Sequence, residues 1–396
     1  MYRIGQEEIA EVTKVILSKQ LFRVGDPNAG HLQEAERFEQ EWADKIGTKY
    51  SLIMSGGGTA ALVCSLAGMG IGPGDEVIVP AYTWLATATS VLTVGAIPVL
   101  AEVDETLALD PDDLERKISP ATKAVIPVHM MGRPANLERI IAVAKKHGIK
   151  VLEDCCQMVG GSFKGKRVGS WGDAGAFSFN YFKIITSGGE GGAMVTSDRE
   201  IYERAFVYHD SGAAFRPKAS ELKEPIFVAQ QYRADEVMAA IARIQAQRLD
   251  GILADLRRVR KAIEAGLATI SGLKRTPNND IEGDCGVVSG LQFESEKQAR
   301  AFIAASGVGG YLGIDHGKHV FTNWEPLIAK RSMHHPDMNP FNFPKNKGLR
   351  ANYTAEVCPK TLELLKRSFF IVINPDATEK DIAEVVTKCQ NGAKAI

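Results

Sequence analysis

Two side chains in this sequence are placed to do chemistry together, a lysine and an aspartate. Lys183 lies in the run FSFNYFKIITSGGEGG and is the only charged residue between Asp173 and Glu190. Apolar and glycine-rich surroundings desolvate an amine partly, which lowers a lysine pKa and frees it to attack a carbonyl carbon. A lone lysine is more often just a residue of a surface turn. The glycines around Glu190 (Gly188, Gly189, Gly191 and Gly192) argue instead for backbone drawn close to something. Asp154 closes the apolar run KVLED. A carboxylate there suits a charge-assisted hydrogen bond to a cationic ring nitrogen in a dry site; it equally suits a helix N-cap.

Three further features could serve the same ligand. Gly56-Gly57-Gly58-Thr59 runs straight into a helical pattern, and glycine amides with a hydroxyl at a helix start form an anion site. The loop matches neither a Walker motif nor a dinucleotide fingerprint. Trp84 follows the strand-like VPAYT and could cover an aromatic ring, or simply pack in the core. Gln157 stands three residues beyond Asp154, within reach of the same ligand. An amine, an acid for a ring nitrogen, a phosphate cradle and a stacking ring are the parts that pyridoxal phosphate chemistry requires.

The elements that must position these residues follow a β-α-β rhythm. EVIVPA, IPVLAEV, ATKAVIPVHM, KVLEDC, GDAGAFSF and GGAMVTSD read as strands. Residues 59–69, TWLATATSVLTVG and LERIIAVAKKHG read as helices, the last stopped by a glycine. This order predicts a mainly parallel sheet with helices on both faces, an αβα three-layer α/β fold. Such sheets bind ligands beyond the carboxyl ends of their strands, where Asp154 and Lys183 both fall. The start of the chain reads as an amphipathic helix over residues 1–20, with Ile9, Val12, Val15 and Ile16 on one face. A large domain is expected over 21–250 and a smaller C-terminal α+β domain over 251–396. The stretch VMAAIARIQAQRLDGILADLRRVRKAIEAGLA reads as one long helix or two in tandem. GVVSGLQFES and SFFIVINP read as strands, EKQARAFIAASG as a helix, GVGGYLG as a turn, and TEKDIAEVVTKCQNGAKA as a helix opened by a Thr-x-x-Asp cap. Residues 320–357 form a long loop-rich stretch, a length that usually marks a functional or mobile segment.

Composition excludes other classes. With 47 basic and 48 acidic residues the net charge is −1, which leaves no field for nucleic acid or an anionic membrane. No apolar run reaches the ~20 residues of a membrane helix, and the first residues do not read as a signal peptide. The six cysteines form no C-x-x-C pair, so no zinc site is expected and free thiols in a cytoplasmic protein are. His334-His335 is read as solvated or substrate-facing rather than metal-binding. His209 is either a substrate contact or a structural hydrogen-bonder.

GTAALVCSLAGMGIGPGDEVIVPAYTWLATA, PVHMMG, VLEDCCQMVGGSFKGKRVGSWGDAGAFSF, the lysine and GGEGGAMVTSD resemble, in order and spacing, the DegT-type sugar aminotransferase family of fold-type I pyridoxal phosphate enzymes. The resemblance is strong over about residues 20–250 and implies an aspartate aminotransferase-like large domain. It implies that Lys183 is the catalytic Schiff-base lysine and proton carrier, that Asp154 pairs with the pyridinium, and that Trp84 stacks on the ring. Gly58, Thr59 and Ser178 would hold the phosphate, with Gln157 beside the ring. It further implies a homodimer with shared active sites, in which a G-x-N-x-R segment sends an asparagine to the partner's phosphate. Here that segment is Ala229-Gln230-Gln231-Tyr232-Arg233, so Gln231 stands in for asparagine, with the same amide donor. Gly57 for the usual serine and the bulky Tyr181-Phe182 before the lysine are further departures.

The implied reaction moves an amino group from glutamate or glutamine to a keto-sugar or related polyhydroxy carbonyl compound. A subset of the family has histidine for the lysine and performs dehydration, so Lys183 favours amino transfer. A lyase or dehydratase on a sugar, or a non-catalytic regulator that binds cofactor or sugar, is the alternative. Arg233, His316, His319, His334 and His335 are candidates for the donor carboxylate. Trp324, Glu325, Lys330, Arg331, Asn339 and Asn342 are candidates for shaping the acceptor pocket.

Overall fold

Short, mostly apolar runs become the strands of the central sheet because helices cover both of its faces. The computed structural model describes residues 3–216 and 219–396. Strands β1 (Tyr50–Met54), β2 (Glu76–Pro80), β3 (Ile97–Ala101), β4 (Thr122–Val125) and β5 (Lys150–Asp154) come first. A hairpin, β6 (Ser162–Phe163) and β7 (Lys166–Arg167), separates them from β8 (Ala174–Ser178) and β9 (Gly192–Thr196). The seven-stranded sheet has the order β1-β9-β8-β5-β4-β2-β3. Neighbours from β8 to β3 are parallel, and β9 runs antiparallel to both β8 and β1. The fold is a three-layer α/β sandwich.

The helix Gly57–Gly68 lies under one face and is buried at nearly every position. The helix Glu34–Ile46 covers the other, where the Trp42 ring meets Phe177 and Phe179 edge-on, each at 5.2 Å. The carboxyl ends of β5 and β8 lie side by side, with Asp154 opposite Ala176. That register brings Asp154 and Ser178 to one rim.

The first helix, Gln6–Ser18, turns a different face inward from the one its apolar pattern suggests; residues 1 and 2 of the expected segment lie outside the described residues. Of the four expected apolar residues only Val15 is buried, while Ile9 and Ile16 are exposed. Glu8 and Glu11 face the protein instead, because Gln245, Arg248 and Arg243 of the long helix Glu236–Leu267 meet their carboxylates. That long helix is one continuous element and passes through residue 250, the expected boundary between a large and a small domain.

Beyond it, β10 (Lys274–Arg275), β11 (Val288–Gln292), β12 (Gly310–Leu312) and β13 (Ser368–Val372) form an antiparallel sheet ordered β10-β11-β13-β12. GVGGYLG is therefore not a turn: it supplies edge strand β12. A Cβ on Gly310 would stand 2.2 Å from the Phe370 carbonyl oxygen, so the glycine serves close strand approach. The final helix, Glu379–Ala393, opens with the expected Thr378–Asp381 capping box.

Residues 320–357 are a chain of short 3-10 turns and one α-helical turn, Glu325–Ile328, fastened to the core. Phe321, Trp324 and Leu327 are buried. Asn346 accepts from the Gly74 amide (2.6 Å) and donates to the carbonyls of Gly95 (2.9 Å) and Pro340 (2.8 Å). Among the described residues no helix is long and apolar enough to cross a membrane.

Candidate active site

A cavity of about 600 Å³ opens at the carboxyl ends of β5 and β8, a size typical of small-molecule sites. Asp154, Gln157, Ser178 and Lys183 line it together with Gly58, Thr59 and Trp84. Residues far apart in sequence thus share one cleft, Asp154 and Lys183 among them.

Asp154 is only 4% exposed. One carboxylate oxygen accepts from the Thr87 hydroxyl (2.8 Å), which is joined to the Thr83 hydroxyl (2.7 Å), and the other accepts from the Cys156 amide (3.1 Å). These bonds fix its direction. The preceding residue anchors the strand end: buried Glu153 accepts from the amides of Gly169, Trp171 and Gly172. His129 Nε2 also lies 3.3 Å from Glu153; because the Ala135 amide donates to Nδ1, the Nε2 proton points at the carboxylate. Cys155 completes a compact buried trio with these two. Both imidazole nitrogens are already hydrogen-bonded, which makes this trio a structural support.

The Gly57–Gly68 helix has no side-chain cap at its start, which leaves its first amides to the cleft, beside the exposed Thr59. Gly58 has to be glycine: a Cβ there would stand 2.5 Å from Cys156 Sγ and 3.0 Å from Ser178 Cβ. Burial and the neighbouring Asp154 push the Cys156 thiol well up, so it stays protonated. Lys183 sits on a turn in which its amide donates to the Asn180 carbonyl (2.9 Å). The following loop returns through Gly188, Gly189 and Gly191, all at positive φ, to pair with Phe179 and Tyr181.

Of the histidines expected at the donor carboxylate, His319 lines this cleft and His316 lies behind it, in a stacked column that the sequence reading did not foresee. Tyr311 stacks on His316 (4.1 Å) and His316 on His319 (3.8 Å), with Trp84 tilted 5.1 Å from His319. Burial, with His319 and Lys183 adding, pushes His316 down to about 3. Burial is also the main cause that takes His319 to about 4. Both are neutral at pH 7 and offer no cation for a carboxylate. His319 Nδ1 donates to the His316 carbonyl (3.0 Å), which leaves Nε2 as an acceptor on the cleft-lining ring. The His-x-x-His spacing was the available signal, as was Thr83-x-x-x-Thr87 for the Asp154 support.

Several candidates lie elsewhere. Arg233 is committed to Asp210 (2.7 Å), with its guanidinium beside the rings of Phe22 and Phe215. His209 is fully buried and donates from Nδ1 to the Phe206 carbonyl (2.6 Å), so its role is structural. His334 and His335 are exposed, and neither they nor Trp324, Glu325, Lys330, Arg331, Asn339 or Asn342 line the cleft. Glu325 pairs with Lys318, and Asn342 donates to the Pro336 carbonyl. Gln231 is exposed, off its own chain's cleft, and its backbone pairs with Asp210.

A lysine, a buried carboxylate and an uncapped glycine cradle at the ends of parallel strands define a ligand cleft of the α/β type. The model of the DegT/DnrJ/EryC1/StrS aminotransferase family matches residues 2–305, and the chain belongs to that family. It is 36% identical over 397 residues to the spore coat polysaccharide biosynthesis protein SpsC of Bacillus subtilis, covering 97% of this chain and 93% of that one. It is 40% identical over 205 residues to an L-glutamine:2-deoxy-scyllo-inosose aminotransferase of Streptomyces kanamyceticus, covering 52% and 48%. Matches to other aminocyclitol and nucleotide-sugar relatives span between 63% and 65% of those chains. Among solved structures it resembles an aminotransferase from Psychrobacter cryohalolentis, with TM-score 0.77, 27% identity and 98% and 97% coverage.

Proposed function

We propose that this protein is a pyridoxal phosphate-dependent aminotransferase that passes an amino group from glutamate or glutamine to a keto-sugar or related polyhydroxy carbonyl compound. The observation that carries this reading is the meeting of Lys183, Asp154 and the uncapped glycine cradle in one cleft. The donor set fits the cofactor. The free amides at the Gly57–Gly68 helix start, with the Thr59 and Ser178 hydroxyls, suit its phosphate. The jammed Gly58 lets backbone come close where a side chain would block it. The Asp154 carboxylate suits the pyridine nitrogen, Trp84 the ring face, and Gln157 the ring edge.

When bound, the cofactor supplies an electron sink for the carbon that loses its proton. The chain supplies the rest. Asp154, held by Thr87 and Cys156, keeps a proton on the ring nitrogen. Lys183 takes the proton from the donor carbon and returns one to the acceptor carbon, as general base and then general acid. His319 Nε2, neutral and unprotonated, accepts a hydrogen bond from a substrate hydroxyl. Donor and acceptor use the cleft in turn, a ping-pong sequence.

The working unit is proposed to be a homodimer in which Gln231 completes the phosphate site of the partner subunit. Its exposure away from its own cleft supports this, as does the Phe182 ring, 84% exposed near the cleft mouth. The proposed compartment is the cytoplasm, supported by six unpaired cysteines. The relatives named for glutamine-dependent amination of a cyclitol ketone and for polysaccharide biosynthesis support the substrate class.

The test is to add glutamate or glutamine to the cofactor-loaded protein and follow pyridoxamine phosphate and the 2-oxo acid by mass spectrometry. Stoichiometric formation of both is expected, then its reversal by one member of a panel of keto-sugars and cyclitol ketones. Lys183→Ala should lose the borohydride-sensitive absorbance. No pyridoxamine phosphate with either donor would turn the reading toward lyase or dehydratase chemistry.

A further inference from the structure

A second cavity, of about 310 Å³, lies where Arg133, in the loop between β4 and β5, meets the small sheet; it shares no lining residue with the Lys183 cleft. Arg133, Arg260 and Arg275 line it with only two carboxylates, Glu264 and Asp284. Arg275 pairs with Glu264 at 2.6 Å. That leaves two guanidinium groups facing Asp284 alone, an excess of one positive charge.

The excess charge is buried and underserved. Arg133 is 6% exposed, Arg260 5% and Thr276 7%. Arg133 Nη2 donates to the carbonyls of Thr276 and Pro277, and Arg260 Nη2 to that of Ile281. Asp284 Oδ2 lies 3.3 Å from Arg260 Nη1 and 3.9 Å from Arg133 Nε, and it already accepts from Asn278 Nδ2. Arg133 Nη1, Arg260 Nε and Nη1, and Thr276 Oγ1 are buried without a hydrogen-bond partner. Unpaired donors on buried cations are among the most costly groups a protein can hold. Water in the cavity would accept from these donors but would not neutralise the charge.

We propose that this cavity is a binding site for a small organic anion bearing a phosphate or carboxylate group. The group would sit between Arg133 and Arg260 and accept from their free N–H groups and from the Thr276 hydroxyl. Two guanidinium forks on different elements, one from the long helix and one from the large unit, match the several oxygens of such a group. Burial holds Arg133 below the usual guanidinium value against the pull of Asp284, consistent with a cation that lacks a sufficient counter-charge.

The test is calorimetric titration of the full chain, saturated with pyridoxal phosphate so that the glycine cradle is filled. Sodium phosphate and sodium glutarate are the probes, at ionic strength fixed with sodium chloride. Binding of at least one probe is expected, weakened at least tenfold in Arg260→Met and in Thr276→Val. Binding of phosphate alone assigns the site to phosphate esters, and of glutarate alone to carboxylates. The near-isosteric Thr276→Val decides the matter if Arg260→Met does not fold. Absence of binding by both probes would overturn the proposal, as would binding that survives the Arg260 and Thr276 changes.

Discussion

Lowering the pH from 7 to 5 should destabilise this protein measurably through one buried imidazole, His209. The ring is fully buried, and burial, with the nearby Arg23 and Arg233 charges adding, pushes it from 6.5 to about 3. A lowered folded-state pKa means that the native imidazole stays neutral while the unfolded chain takes up a proton. The stabilisation is therefore complete above pH 6.5 and is lost progressively as the pH falls toward 3. Between pH 7 and pH 5 the unfolded state gains about 1.5 units of protonation free energy, or ~2 kcal/mol. His316 and His319 act in the same direction, whereas the buried Glu39, raised by desolvation, acts in the opposite one. The contribution of His209 is therefore isolated by difference. Guanidinium unfolding of the wild type and of His209→Asn, which keeps a donor for the Phe206 carbonyl, would be compared at both pH values. The variant should lose ~2 kcal/mol less than the wild type over this interval. A difference below about 0.5 kcal/mol would refute the linkage argument.

Three other perturbations follow from the geometry. Gly58→Ala forces a methyl against Cys156 Sγ and Ser178 Cβ; about 1–3 kcal/mol of overpacking is expected, with at least tenfold weaker cofactor binding by absorbance titration. Thr87→Val removes the hydroxyl that donates to Asp154, a bond to a charged group worth about 1.5–3 kcal/mol, and should shift the pH dependence of the cofactor absorbance band. Asn346→Ala leaves the Gly74 amide and the Gly95 carbonyl unserved, so stability should fall by about 2–3 kcal/mol and limited proteolysis should cut first within residues 320–357.

The parallel part of the sheet was legible because its strands are short, mostly apolar runs with helices between them. The caps were legible as well: Gly148 ends its helix in the left-handed region, and Thr378 with Asp381 opens the last one. The reversal of β9 was not, since the direction of strand pairing is set by tertiary packing rather than by local pattern. The inward face of the first helix was misjudged because apolar periodicity cannot register carboxylates that meet arginines more than two hundred residues away. GVGGYLG was misjudged because glycine signals close approach as readily as a bend. In the cleft, residue type and spacing located Lys183, Asp154 and the glycine cradle. His316 and His319 were named only as cations for the donor carboxylate; their stacking and neutrality were not legible, because their place depends on how a distant segment folds back over Trp84.

The unbroken Glu236–Leu267 helix has a mechanical consequence. At 1.5 Å per residue its 32 residues form a strut of about 48 Å. One continuous apolar cluster along it joins Phe177 and Val195 of the large sheet to Leu291 and Phe369 of the small one. Neither sheet can melt without exposing the flank of the strut that the other half leans on, so the two should denature in a single calorimetric transition.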